Sequence, residues 1–174
     1  RATAPDMKLY INEYGLDSDG PVERARRATL LRLLDTLRKS NVPFAGVGIQ
    51  GHLRLDNSPF SAAALRTFLA DLASRNVKIT ITELDVRERD LSLPLEARDR
   101  LVAAEVKRYL DVVLDEPAVE GVVAWGLSDR YSWLSPKKLT DAGQRNRGLP
   151  FDQALAAKPV KDEIVAALER RPPH

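Results

Sequence analysis

Apolar residues in this chain recur with two different periods, and the two take turns along its length. Short runs rich in Val, Ile and Thr read as half-buried or buried strands, and they predict strands over residues 7–12, 45–50, 77–86 and 119–125. Between them lie longer stretches whose apolar residues return every third or fourth position, which predict helices over residues 22–40, 61–75 and 95–114. In the first of these, Leu30, Leu31, Leu33, Leu34 and Leu37 form the apolar stripe, with arginines between them. A last helix begins near Pro159, a residue suited to a first helical turn, and ends before Arg171. Turn chemistry falls where the pattern needs it: Asp17-Ser18-Asp19-Gly20-Pro21, Asn57-Ser58-Pro59, Pro94, and a long loop marked by Ser135-Pro136 and residues 143–148. Four strand–helix units in series, with no break in composition, predict one α/β domain on a parallel sheet with right-handed crossovers.

The third strand carries the most pointed signal. Ile79-Thr80-Ile81-Thr82 runs straight into Glu83-Leu84-Asp85, so a buried strand ends in two carboxylates. In parallel α/β folds the carboxyl ends of the strands are where ligands bind, although a strand-end carboxylate can also cap a helix or close an ion pair. Every predicted strand closes on a polar or aromatic residue, namely Asn12, Gln50, Glu83 and Trp125, at a loose period. A (β/α)8 TIM-type barrel builds its catalytic face in this way, and a full barrel takes about 250 residues. The 174 residues supply about four of its eight units, half a barrel.

Composition narrows the choice of partner. A hydrophobic content of 44% supports a substantial core, and 27 basic against 25 acidic side chains leave a net charge of +2. Arg24-Ala25-Arg26-Arg27 and Glu169-Arg170-Arg171 sit on or after predicted helices without interleaved aromatics, a solvated face rather than a nucleic-acid surface. The absence of cysteine excludes disulfides, zinc–thiolate sites and thiol catalysis. No apolar run is long enough to span a membrane, and Arg1-Ala2-Thr3-Ala4-Pro5 does not read as a signal peptide.

Five segments together resemble glycoside hydrolase family 10, whose main members are endo-1,4-beta-xylanases. Leu9-Tyr10-Ile11-Asn12-Glu13-Tyr14 resembles the family's fifth strand, Gly46-Val47-Gly48-Ile49-Gln50-Gly51-His52-Leu53 the sixth, and Ile81-Thr82-Glu83-Leu84-Asp85-Val86 the seventh. The segment from Trp125 to Trp133 resembles the eighth with its loop, and Leu149-Pro150-Phe151-Asp152 with Lys158-Pro159 resembles the run into the last helix. The resemblance implies that residues 1–171 are the carboxyl-terminal half of a family 10 catalytic barrel, with 172–174 a tail. It also implies xylan or a xylo-oligosaccharide as ligand and a secreted or periplasmic location.

A retaining glycosidase needs one carboxylate to attack the anomeric carbon and a second, about 5–5.5 Å away, to protonate the leaving oxygen and later activate water. Glu83 matches the family's nucleophile. His52, one strand over, can donate to Glu83, and Asp85 can orient His52; a lone histidine of this kind can equally be a buried structural one. Gln50, two residues before His52, projects to the same side and can reach a sugar hydroxyl or the nucleophile. The resemblance further implies that Trp125 and Trp133, the only tryptophans, wall the sugar beside the scissile bond, and that Asn12 and Tyr14 contact substrate, Tyr14 on the leaving-group side. A core role for Trp125, at the end of a buried strand, stays open.

Two departures stand out. Gly15 replaces an asparagine common in the family, and the general acid/base, a glutamate after an asparagine on the fourth strand, is not in this sequence. The resemblance implies that Asn12-Glu13 is no substitute, because in this family acid and nucleophile come from strands three apart, whereas Glu13 lies two strands from Glu83. The sequence therefore predicts that the inner barrel face and two sheet edges are covered by a complementary amino-terminal half or by self-association. Two carboxylates and water suffice, so no metal or organic cofactor is expected. The alternatives are a non-catalytic xylan-binding or structural half-barrel, and a glycosidase of the same barrel superfamily acting on another β-glycan.

Overall fold

The computed structural model describes residues 3–4, 6–55, 60–135 and 145–171. The turn expected at Asn57-Ser58-Pro59, the loop from Pro136 through residue 144, and the tail lie outside the described residues. Strands β1 (Tyr10–Glu13), β2 (Gly46–Ile49), β3 (His52–Arg54), β4 (Lys78–Arg87) and β5 (Val119–Ala124) alternate with helices α1 (Pro21–Lys39), α2 (Ala62–Ala73), α3 (Leu95–Val113) and α4 (Pro159–Glu169). All strand pairings are parallel, as the strand–helix alternation requires.

Helix boundaries follow local chemistry. Pro21 and Pro159 occupy first turns, where a missing N–H costs nothing, and the Ser61 hydroxyl accepts the Ala64 N–H at 3.3 Å to cap α2. Strand β1 begins later than the sequence pattern predicts, because only Tyr10 to Glu13 find register partners on β2.

Strands β2 and β3 lie end to end along one side of β4, two halves of one strand separated at Gln50-Gly51, a break that the sequence pattern did not anticipate. The cause is a bulge in β4. Ile49 pairs with Ile81, but His52 pairs with Asp85, so β4 holds one residue more than its neighbour between these points. The ladder with β5 slips between Ile81 and Leu84 as well. Gly51, at φ 77°, makes the accommodating turn, and a Cβ there would stand 2.8 Å from the Ile81 Cγ2.

The bulge changes the phase of β4. Ile79 and Ile81 point into the helix-side core, and so do Leu84 and Val86. Strict alternation from Ile81 would have sent Glu83 and Asp85 into that core. With the extra residue, both Thr82 and Glu83 emerge on the opposite, inner face, and Asp85 follows.

The core lies between the sheet and its helices, packed by Leu30 and Leu34 of α1, Leu65, Leu69 and Leu72 of α2, and Val102, Val106, Tyr109 and Leu110 of α3. Helices cover one face only; on the other, Tyr10, Val123 and Trp125 are exposed. No helix among the described residues is long and apolar enough to cross a membrane.

Candidate active site

The inner face at the carboxyl ends of the strands holds a continuous chain of hydrogen bonds. Thr82 Oγ1 donates to Asn12 Oδ1 at 2.8 Å, and Asn12 Nδ2 donates to Glu83 Oε1 at 2.8 Å. The other Glu83 oxygen, Oε2, lies 3.3 Å from His52 Nε2. His52 Nδ1 lies 2.8 Å from Asp85 Oδ1, and Trp133 Nε1 donates to Asp85 Oδ2 at 2.7 Å. Asp85 is only 1% exposed, so its two oxygens are committed to these two ring N–H groups.

This arrangement fixes the histidine. The indole N–H can only donate, and Asp85 remains a pure acceptor for both rings if Nδ1 of His52 carries a proton. Nε2 then offers a hydrogen to Glu83 only when the imidazole is doubly protonated. Burial pushes the His52 pKa down, but the hydrogen bond to Asp85 and the charges of Asp85 and Glu83 outweigh it, and the result lies above the ordinary histidine value. When both ring nitrogens of His52 carry protons, His52 and Asn12 together give Glu83 the two donors that an attacking carboxylate needs.

Glu13 plays no part in this chain. It sits on the helix side of β1, where its Oε1 accepts the Tyr14 N–H at 2.9 Å and lies 3.4 Å from Arg26 Nη1. Alternation explains the separation: Asn12 faces inward and its neighbour outward.

A cleft of about 770 Å³ opens beside this chain, lined by Gln50, His52, Asp85 and Trp133 on one side and by Tyr14, Gly15 and Arg26 on the other. The His52 ring stands edge-on to Trp125 at 6.4 Å and tilted against Trp133 at 5.2 Å. Both indoles are about half exposed, the condition for a stacking surface rather than a core residue. The Gln50 side chain makes no hydrogen bond among the described residues and faces the cleft, while its carbonyl accepts the Glu83 N–H at 2.8 Å.

These features coincide with a family match over nearly the whole chain: the model for glycosyl hydrolase family 10 covers residues 1–167. The chain belongs to this family. Endo-1,4-beta-xylanase A of Phanerodontia chrysosporium is 35% identical over 167 residues, 94% of this chain and 37% of that protein. Xylanase 10B from Thermotoga petrophila RKU-1, solved in complex with xylobiose, superposes with a TM-score of 0.81 at 28% identity, covering 95% of this chain and 47% of that one. The Penicillium canescens endo-1,4-beta-xylanase XylE gives a TM-score of 0.80 at 28% identity over 98% of this chain and 49% of that one. The chain thus spans less than half the length of these relatives, four strand–helix units of a family 10 (β/α)8 barrel.

Within this family 10 half-barrel, Glu83, His52, Asp85, Asn12, Trp125 and Trp133 come together as one cluster, with Gln50 and Tyr14 along the adjoining cleft. Three contributions were not visible in the sequence. Asn12 bonds Glu83 rather than only facing substrate, and Trp133 anchors Asp85 through its N–H as well as presenting a ring. The third is the clamp beneath the Trp125 to Trp133 segment. Ser128 Oγ donates to the Asp152 carbonyl at 2.6 Å, and Asp129 accepts the Leu149 N–H at 3.1 Å while its Oδ2 lies 2.7 Å from Lys158 Nζ. Burial pushes the Asp129 pKa up and that of Lys158 down, and each opposes the other's shift. Only the charge types at positions 129 and 158 hinted at this pair.

Proposed function

We propose that this chain supplies the nucleophile half of a retaining endo-1,4-beta-xylanase, with Glu83 as the attacking carboxylate. The observation that carries the reading is the Asn12–Glu83–His52–Asp85–Trp133 chain at the carboxyl ends of parallel strands, beside two half-exposed indoles. A Glu83 oxygen attacks the anomeric carbon of a β-linked xylose, the glycosidic bond breaks, and the leaving oxygen takes a proton from a second carboxyl group. That group, now ionised, removes a proton from water, and the resulting hydroxide displaces Glu83 to regenerate both groups. Throughout, Asn12 and His52 hold Glu83 in line, Asp85 and Trp133 hold His52, and the indoles and Gln50 receive the sugar.

The second carboxylate is assigned to the part of the barrel outside these 174 residues, whether carried on the same or a separate chain. Xylan or a xylo-oligosaccharide is the ligand in this reading, an amino-terminal half or a second copy covers the inner face, and the protein works outside the cytoplasm. Among the described residues no second carboxylate faces Glu83, since Asp85 is committed to two donors and Glu13 points the other way. That observation supports a second reading, a xylan-binding half-barrel without turnover.

Release of reducing sugar from xylan and from an aryl xylobioside separates the two. We expect little turnover by the chain alone, turnover after mixing with the amino-terminal half of a family 10 barrel, and its loss in Glu83→Ala. Turnover that survives Glu83→Ala but not Glu13→Ala would overturn the assignment. Xylotetraose binding without turnover under either condition would favour the binding module, and faster cleavage of cello- than xylo-oligosaccharides would move the substrate to another β-glycan.

A further inference from the structure

Strand β4 outruns its neighbour β5. Their last register pair is Leu84 with Ala124, and the Leu84 carbonyl accepts the Trp125 N–H at 2.9 Å, yet β4 continues to Arg87. Backbone groups alternate sides along a strand, so those of Asp85 and Arg87 face β3, where Asp85 donates to the Gly51 carbonyl and Arg87 accepts the Leu55 N–H. The Val86 carbonyl and the Glu88 N–H face the other way, past the end of β5, with no strand to pair with.

One side chain serves both. Asn146, 3% exposed, donates from Nδ2 to the Val86 carbonyl at 2.9 Å and accepts the Glu88 N–H on Oδ1 at 3.0 Å. These are the two groups, on either side of Arg87, that a single residue of a parallel neighbour would take, so a side-chain amide stands in for one residue of an absent strand. The surrounding backbone lies against β4, since a Cβ on Gly148 would overlap the Val86 oxygen. Glu88 secures both flanks: its carboxylate accepts the Arg147 N–H and pairs with Arg98 at 2.7 Å, and Arg98 also donates to the Arg145 carbonyl at 2.7 Å.

Fixing a loop to β4 would need no more than this, but Asn146 makes a third bond that leads elsewhere. Its own N–H donates to Ser135 Oγ at 3.1 Å. The Ser135 N–H donates to the Ser132 carbonyl and the Leu134 N–H to the Ser132 hydroxyl, each at 3.2 Å, so the turn that carries Trp133 is tied to Ser135. Trp133 then returns to β4 through its N–H on Asp85 Oδ2. A ring of contacts thus leaves β4 at Val86 and Glu88, passes through Asn146, Ser135 and Trp133, and closes on β4 at Asp85. The Ser128 and Asp129 clamp fixes the start of the tryptophan segment, and Asn146 fixes its end.

We infer that Asn146 is a positioning residue for Trp133. It sets where the indole stands over the end of β4, and so both the second hydrogen bond on Asp85 and the wall beside His52 that receives the sugar. The part that concerns the sugar rests on the xylan reading; the part that concerns Asp85 does not.

Proton NMR of the indole N–H groups tests this, because the chain has two tryptophans and Trp125→Phe assigns the pair. An indole N–H bonded to a buried carboxylate resonates downfield and exchanges slowly with water. In Asn146→Ala and in Ser135→Ala the Trp133 resonance should move upfield and its exchange should quicken about tenfold, with the Trp125 resonance unmoved. Ser135→Thr, which keeps the hydroxyl, should retain the wild-type signal. Calorimetric affinity for xylotetraose should fall about fivefold in both alanine variants. If Asn146→Ala proves unfolded by circular dichroism, Ser135→Ala decides, since it leaves the Asn146 side-chain contacts on β4 in place. A folded variant of lower stability whose Trp133 resonance and exchange match those of the wild type overturns the inference and leaves Asn146 as a loop anchor. Equal changes at both indoles also overturn it, pointing to general loosening of the segment. A wild-type chain that binds no xylotetraose removes the xylan reading, while the indole comparison still decides the role of Asn146.

Discussion

Replacing Asp85 by asparagine keeps the side chain's shape, removes its charge and gives a buried position one acceptor where it had two. Two ring N–H groups point at that position, His52 Nδ1 at 2.8 Å and Trp133 Nε1 at 2.7 Å. The indole can only donate, so the amide oxygen must face Trp133 and the amide nitrogen must face His52. His52 then accepts that contact only by giving up its Nδ1 proton, which leaves a neutral ring protonated at Nε2 and still able to donate to Glu83. Hydrogen bonds to a charged partner contribute about 1.5–3 kcal/mol and neutral ones about 0.5–1.5, so weakening two of them should cost roughly 2 kcal/mol in total.

The pH dependence gives the sharper test. The wild-type His52 pKa is raised, so its charged form contributes stability that is complete below the unfolded value and is lost as pH rises through the folded one. In Asp85→Asn the hydrogen bond and charge of Asp85, the largest influences raising it, are gone, while Glu83 remains and burial acts against the charge, so the His52 pKa should fall below that of the wild type. The destabilisation should accordingly be larger near about pH 5.5 than near about pH 9 in urea unfolding. An NMR titration of His52, assigned with a His52→Gln variant because the chain has a second histidine at His174, reads the pKa directly. A variant pKa equal to or above the wild-type value, or equal destabilisation at both pH values, would refute the assignment of Asp85 as acceptor to both rings.

Two further substitutions test the frame around the site. Gly48→Ala places a Cβ 2.4 Å from Asn12 Oδ1 and 2.9 Å from Thr82 Cγ2, so Asn12 must swing away from Glu83. We expect a loss of about 1–3 kcal/mol in thermal unfolding and a shifted Asn12 side-chain amide resonance, with Gly121→Ala, which meets nothing within 4 Å, as the unstrained comparison. Lys158→Met strips the partner from Asp129, which is fully buried, and should cost about 3–5 kcal/mol in denaturant unfolding. Much of that loss should return when Asp129→Asn is added; a single variant within about 1 kcal/mol of wild type would show that the pair does not hold the Trp125 to Trp133 segment.

The order of strands and helices was legible in the sequence because hydrophobic periodicity is a local property. The Leu stripe of α1 and the prolines at the starts of α1 and α4 define their elements without help from distant residues. Candidate residues at the strand ends were legible for a related reason, since a strand-end polar residue interrupts an otherwise apolar run. Contacts between residues on different strands were not. The Asn12 bond to Glu83 spans 71 positions and the Trp133 bond to Asp85 spans 48, and neither side chain's neighbours along the chain give any sign of it.

The direction in which Glu83 points shows where the division falls. The sequence by itself determined that a β-branched run leads directly into Glu83-Leu84-Asp85, and period two places the two carboxylates on one face. The same rule, counted from Ile79 and Ile81, would have buried both under the helices. Only the tertiary structure decided otherwise, by admitting one extra residue between Ile81 and Leu84 against both neighbouring strands. A bulge is a relation between paired strands, set by Gly51 across the ladder and by the packing of Leu84 and Val86 into the core, so no single strand's pattern can encode it.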